Sequence, residues 1–368
     1  MKNFLALKPE IFGLDISDSS LKIIKLKKKR KGFGLASFGE QRIEPGIIKE
    51  GEIINEDALV SSIKEGLSKI KGEKLNTRYV ACSLPEDQGF LQVIQMPKIR
   101  SEELKKAVRY EAENYIPLPI DEVYLDSKII PPIHNHLNHL DVLIVAFPQK
   151  VVDPYVSCFK KAGLQPVILE LESSAIARVL IKNEVSPYSI LLIDLGILKT
   201  NFMIFSGYSL RFTSCFPVSS QEFTQAIAKN LSIALEEAEK LKLKYGLKGN
   251  RTEGKKVFES FVPVLTDFVE QIKKRLDFYQ THISHEHLLP GEKGVRKVFL
   301  CGGGANLEGL VDFLADQLKI PVELGNPWIN ILPESQKEEP LLSYKKSLEY
   351  VTALGLALRG IRSNKIEP

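Results

Sequence analysis

Near its start the chain alternates strand-length apolar stretches with short polar breaks: apolar at 11–16, polar at 17–20, apolar again at 21–26 and 33–38. Two such runs around a tight polar turn predict a hairpin, and the third extends it into a meander. The cationic run 25–31 falls at the far turn of that meander. It reads either as a solvated hairpin cap or as a contact for anionic lipid or an acidic partner. The period then changes. Leu59, Ile63, Leu67 and Ile70 are spaced three and four apart, which predicts a helix over 55–70. Strands are predicted at 79–84 and 91–96. A helix follows over 101–115, with Ser101 as N-cap, Glu102 and Glu103 at the positive end of the dipole, and Pro117 and Pro119 stopping it. Strands at 123–130 and 141–147, a helix at 150–162 ending on Gly163, and a short helix at 173–182 complete the first half.

After Pro187 the pattern restarts, with strands at 189–194, 200–205 and 209–217 around a turn at 195–199. Strand, aspartate, turn and strand therefore occur twice, at 13–24 and at 191–204, an internal symmetry that divides the chain into two halves. Helices are predicted at 221–228, 232–245 and 257–282. A strand at 298–300 runs straight into Gly302, Gly303 and Gly304, and the last helix covers 344–359.

Composition narrows the class. The 368 residues allow two domains or one large one, and 44% hydrophobic with 26% charged residues is the balance of a folded globular chain. Lys and Arg number 50 against 46 Asp and Glu, which leaves no bulk charge for nucleic acid. The apolar runs are strand-sized, well short of the roughly 20 residues that cross a bilayer. Residues 1–10 are too short and mixed for a signal peptide. Cys82, Cys158, Cys215 and Cys301 are widely spaced and read as reduced thiols.

The chemistry concentrates in three places. Asp15-Ile16-Ser17-Asp18-Ser19-Ser20-Leu21-Lys22 and Asp194-Leu195-Gly196-Ile197-Leu198-Lys199-Thr200-Asn201 are both turns led by an aspartate. Successive backbone N–H groups in such a turn can wrap a phosphate, and the aspartate can hold Mg²⁺ through water. The plainer reading is two hairpins in which Asp does turn chemistry. Gly302, Gly303 and Gly304 between a strand and a helix let a flat ring or a phosphate approach the backbone. His134, His136 and His139 form a closely spaced run in a predicted loop, and His282, His285 and His287 another at a helix end; both read as solvated rather than metal-binding.

The ordered set of two aspartate turns and a strand leading into three glycines resembles the actin-like ATPases. Within them it resembles the PilM family of type IV pilus assembly, which is related to FtsA. The resemblance covers nearly the whole chain. It is carried by Gly13-Leu14-Asp15-Ile16-Ser17, by Met96-Pro97 through to Tyr115-Ile116-Pro117, by Asp194-Leu195-Gly196 with Thr200-Asn201, by 236–242 and by 354–360. It implies an α/β, actin-like ATPase fold: two duplicated α/β domains around a nucleotide cleft, with an inserted subdomain. Domain I would span 1–187 with the insert at about 89–171, domain II 188–343, and a C-terminal helix in 344–368 would return to domain I.

Carried onto this sequence, the resemblance implies that Asp15 and Asp194 hold Mg²⁺ through water. Ser17, Asp18, Ser19, Ser20 and Lys22 form the first phosphate loop, and Asp194, Gly196, Thr200 and Asn201 the second. Gly302, Gly303, Gly304 and Asn306 form the adenosine loop, while Glu239 and Lys242 contact ribose and base. Glu170 or Glu172 would position water; both also suit the N-terminal charge of a helix. Ser17 stands where the family has Gly, at a cost of about 1 kcal/mol if that position needs positive φ. Ile197 and Leu198 replace smaller residues.

The function so implied is a cytoplasmic ATP-binding platform, peripheral to the inner membrane, with weak or no ATPase activity. It would bind the N-terminal tail of a PilN-like bitopic membrane protein in a groove beside the insert, contact other pilus inner-membrane components and self-associate. An FtsA-like division protein and a small-molecule kinase of the same superfamily are the alternatives. FtsA ends in an amphipathic membrane helix, whereas 359–368 is short and polar. Ile329-Asn330-Ile331-Leu332-Pro333 resembles the docking segment of PilN and reads as a coincidence in a proline-bounded loop.

Overall fold

The computed structural model describes residues 9–133, 137–248, 252–289, 292, 294–333 and 341–363. His134 and His136 of the histidine run, and 1–8 and 364–368 of the termini, lie outside them.

The first half begins with the meander: β1 (Ile11–Ile16), β2 (Ser20–Lys28) and β3 (Phe33–Arg42). A small hairpin, β4 (Ile48–Lys49) and β5 (Glu52–Ile53), leads to α1 (Glu56–Ser68), which Asn55 caps by accepting from the Ala58 N–H at 3.0 Å. Then come β6 (Lys71–Gly72) and β7 (Tyr79–Leu84). A separate unit follows: β8 (Phe90–Pro97), α2 (Ser101–Ala112), β9 (Val123–Ile130) and β10 (His139–Pro148). The chain returns through α3 (Gln149–Lys161), β11 (Gln165–Leu171) and α4 (Glu172–Leu180). The second half contains β12 (Ser186–Leu195), β13 (Thr200–Gly207), β14 (Ser209–Phe216), α5 (Ser220–Leu231), α6 (Leu235–Tyr245) and α7 (Thr252–His282). It continues with β15 (Val295–Cys301), α8 (Leu310–Leu318), β16 (Val322–Leu324), α9 (Tyr344–Ser347) and α10 (Val351–Arg362).

The two halves repeat one sheet. The first runs β11-β7-β1-β2-β3-β6 and the second β14-β13-β12-β15-β16. In each, the leading strand has its antiparallel hairpin partner on one side and a parallel strand on the other. The register is also shared: Asp15 lies opposite Lys22, and Asp194 opposite Asn201. Each sheet buries its own aliphatic and aromatic core. α10 crosses back from the second half to cover β1. A Cβ at Gly13 would lie 2.3 Å from the Ala353 carbonyl oxygen and 2.6 Å from the Ala357 nitrogen, so only glycine lets the helix sit this low.

The unit between β7 and α3 is a three-stranded sheet, β8-β10-β9, with α2 across one face and a core of its own. It accounts for 90–148 of the segment expected at about 89–171. β11 belongs to the first sheet, where it pairs in parallel with β7, and α3 packs into that sheet's core. The pattern at 165–171 conceals an edge strand, because Pro166 and Glu170 interrupt its apolar run and its outer side is only half buried. α2 starts at Ser101, so Arg100 rather than Ser101 occupies the cap position. Asn330 is bound within the fold, its amide donating to the Arg178 and Ile181 carbonyls at 2.8 and 2.6 Å. The PilN-like pentapeptide that contains it is therefore part of the packed chain.

Candidate functional site

The cleft between the halves is walled by the two aspartate hairpins. In the first, Ser17 closes the turn on itself: its N–H and hydroxyl both donate to the Ser20 carbonyl, at 2.9 and 3.0 Å, and the Ser20 N–H donates to Ser17 Oγ at 3.2 Å. Ser17 does not adopt positive φ, so serine at this position costs no backbone strain. Asp18 lines the cleft with its carboxylate spent on the next turn, accepting from the Glu50 and Gly51 N–H groups at 2.7 and 3.1 Å. Ser19 anchors β3 by accepting from the Ile43 N–H. Asp15 is buried and accepts from the Ser83 hydroxyl at 2.8 Å, and Lys22 stands opposite it in register.

The second hairpin is tied to α5. The Gly196 N–H donates to the Lys199 carbonyl, while the Gly196 and Ile197 carbonyls accept from Ser220 and Gln221 at the start of that helix. Ile197 and Leu198 are 48% and 45% exposed, so their bulk stands at the mouth of the cleft rather than filling it. Lys199 reaches across to Asp87 at 2.9 Å. Asn201 also crosses, its amide donating to Glu172 Oε2 at 2.9 Å. Thr200 is an exception among the expected loop residues. Its side chain is fully buried and its hydroxyl donates to the Val218 carbonyl at 2.6 Å, away from the cleft.

Gly302 and Gly303 line the cleft. Gly302 has φ +82°, and a Cβ there would lie 2.3 Å from Asp194 Oδ1 and 2.5 Å from the Leu195 carbonyl. The close approach of β15 to the second hairpin therefore requires glycine. Gly304 packs under Leu195, and Asn306 donates to the Lys345 carbonyl at 3.0 Å; neither lines the cleft. Glu239 and Lys242 are occupied elsewhere too. Lys242 is buried, pairs with Glu239 at 2.7 Å and donates to Thr224 and Ser220, which locks α6 to α5.

The two hydrolytic candidates separate cleanly. Glu170 is clamped by Arg178 at 2.6 and 2.8 Å and also bonds Arg359, a structural knot outside the cleft. Glu172 points into the cleft. Burial pushes its carboxyl up to about 8, opposed by Lys199 and reinforced by Asp15, Glu86 and Asp194. Burial and then Asp15 push Asp194 up to about 6, with Lys22 opposing. Burial also raises Asp15 and Glu86. So many carboxylates beside two lysines form a donor set suited to a hydrated divalent cation. Glu40 of β3 and Glu349, just before α10, also line the cleft, with Ser83 at the end of β7 behind Asp15, and no local motif marks them.

At the hairpins the space is about 120 Å³, below the roughly 300 Å³ of ordinary ligand pockets, and it opens beside Ile197 and Gln221 into about 1190 Å³. A separate groove of about 780 Å³ shares no lining residue with the cleft. Its walls come from three places: Leu125 and Leu143 of the inserted sheet, Leu169 and Leu171 of β11, and Tyr208 and Leu210 at the β13–β14 turn. β9, one of the two edge strands of the inserted sheet, runs along it.

Duplicated sheets that present paired aspartate hairpins and a glycine loop to one cleft define the actin-like ATPase fold. The chain belongs to the family of the type IV pilus assembly protein PilM, whose family model matches residues 13–361. A chain of the PilM–PilN type IV pilus biogenesis complex is 29% identical, with a TM-score of 0.79 over 97% of this chain and 100% of that one. The MreB5 of Spiroplasma citri bound to ADP shares the fold at 12% identity and a TM-score of 0.54, over 95% of this chain and 96% of that one. The cell division protein FtsA of Pseudomonas aeruginosa is 23% identical over 295 residues, covering 77% of this chain and 63% of FtsA. This chain thus matches less than two thirds of that relative's length.

Proposed function

We propose that the protein is an ATP-binding platform of type IV pilus assembly that seats the cytoplasmic N-terminal tail of a PilN-like bitopic membrane protein. The observation that carries this reading is the groove: about 780 Å³, lined by apolar side chains together with charged ones, and flanked by an unpaired strand edge. An extended peptide gains affinity from main-chain bonds along such an edge and specificity from the pockets beside it. The 29% identical chain of the PilM–PilN complex supports the choice of partner. Among the described residues no helix is long and apolar enough to cross a membrane. The reading therefore brings the protein to the cytoplasmic face of the inner membrane through its partner, alongside other pilus components and copies of itself.

In this reading the cleft takes ATP with Mg²⁺. Asp15 and Asp194 would hold the ion through water, and it would supply charge neutralisation at the phosphates. Backbone N–H groups of both hairpins, with Lys22 and Lys199, face the phosphates. Glu172, the carboxylate that points into the cleft, would position water.

The test is calorimetric titration with a synthetic peptide of the PilN-like tail from the same genome. Binding at micromolar strength, about −8 kcal/mol, is expected. Tyr208→Asp places a charge at a 43% exposed groove position and should weaken it at least tenfold. Equal binding to that variant would remove the groove from the account.

A further inference from the structure

Both phosphate hairpins end on the same short segment, 85–89, which leaves β7 and enters the inserted sheet. The first reaches it through the 50–51 turn. Asp18 holds the Glu50 and Gly51 N–H groups, the Gln88 amide donates to the Glu50 carbonyl at 2.8 Å, and Gly51 packs on Pro85. The second reaches it directly, through the Lys199–Asp87 pair. Between them, buried Glu86 accepts from the Ser173 N–H at 3.0 Å, next to Glu172.

On its far side the segment meets the groove. A Cβ at Gly89 would lie 2.5 Å from Leu171 and 2.7 Å from Phe147, both of which line the groove. The inserted sheet is also fastened to the second half by a buried pair, Arg211 to Asp141 at 2.5 Å. The groove thus has walls on three bodies, and their relative placement is fixed partly by Asp87 and Lys199.

We propose that the turn at 85–89 is a relay: a phosphate entering the cleft takes Lys199 from Asp87, frees the turn and reshapes the groove, so that nucleotide and tail binding are coupled through Asp87. The proposal rests on the cleft and groove assignments above. Two features of the structure support it. Lys199 lines the 120 Å³ cleft while its partner Asp87 lines the wider space beside it, so a phosphate entering the cleft competes with Asp87 for Lys199. A triphosphate also brings negative charge up to Asp87, opposing the pair a second time. Coupling of this kind is reciprocal, and typical values are 5- to 150-fold.

The experiment measures tail-peptide affinity by calorimetry with and without saturating ATP and Mg²⁺, after each ligand has been titrated alone. The wild type should show at least a fivefold change in peptide Kd when nucleotide is present. Asp87→Ala should bind each ligand alone and show less than a twofold change, and Asp87→Glu should restore the coupling. Full coupling in Asp87→Ala, or none in a wild type that binds both ligands, overturns the relay. Failure of either single-ligand titration overturns the functional reading itself, and the relay with it.

Discussion

The two aspartate hairpins share a backbone geometry and differ in what their side chains hold. The first is closed on its own domain: Ser17 and Ser20 bond each other, Asp18 holds the 50–51 turn, and Ser83 on the neighbouring strand holds Asp15. The second spends its polar groups across the cleft, Lys199 on Asp87 and Asn201 on Glu172, and its neighbouring strand ends in bare glycines. One wall is fixed by short-range bonds, while the other is held by bonds that an anion in the cleft would challenge. Duplication supplied the geometry twice, and side chains divided the work.

The comparison is broken most severely at the strand beside each aspartate. Gly302→Ala drives a Cβ into Asp194 and Leu195 at a positive φ, and should cost at least about 3 kcal/mol in urea denaturation. The counterpart in the first half, Ser83→Ala, removes two buried hydrogen bonds, one to Asp15 and one from the Ile16 N–H, and should cost about 2 kcal/mol. Equal costs would mean that the second wall is no more tightly fitted than the first.

Those two positions also show what the sequence made legible. The hairpins, their aspartates and the glycine run were readable because each is a local pattern, a period of two broken by small polar residues or glycine. The inserted sheet's strands were readable for the same reason. The cross-cleft pairs were not: Lys199 and Asp87 are far apart in the chain, and nothing near either names the other. Glu239 and Lys242 show the converse. Their spacing along α6 correctly places them on one face, but that face is turned to Ser220 and Thr224 of α5. Thr200 sits at the right position in its hairpin with its hydroxyl turned to Val218. Spacing fixes neighbours along an element, whereas the direction an element faces is decided by packing.

The charge crowding in the cleft gives the next effect. Burial pushes the Glu172 carboxyl up to about 8 in the folded protein, from the 4.5 of a free glutamate, so between those values the folded state keeps a proton that the unfolded state has lost. Its contribution to stability is complete below 4.5 and disappears as pH rises through 8. Asp194 behaves alike between 3.8 and about 6. Without ligands, the melting temperature should therefore fall from about pH 5 to pH 8. Glu172→Gln should flatten that fall and stabilise the protein at pH 8 by on the order of 2 kcal/mol. An unchanged slope would show that the cleft carboxylates are solvated.

A smaller effect sharpens the picture of the fixed wall. Asp18→Ala frees two backbone N–H groups at 50–51 and should lower stability by about 1 kcal/mol. Lys199→Ala gives up a partly exposed pair and should change stability by less than that while weakening nucleotide binding. The reverse ranking in thermal denaturation would exchange the roles of the two hairpins.

Whether both aspartate hairpins grip one nucleotide is decided by calorimetric titration of ATP with Mg²⁺ into wild type, Asp15→Ala and Asp194→Ala. A single site in the wild type, weakened at least tenfold by either substitution, is expected. No heat of binding with millimolar ATP, or binding that neither substitution alters, would contradict it.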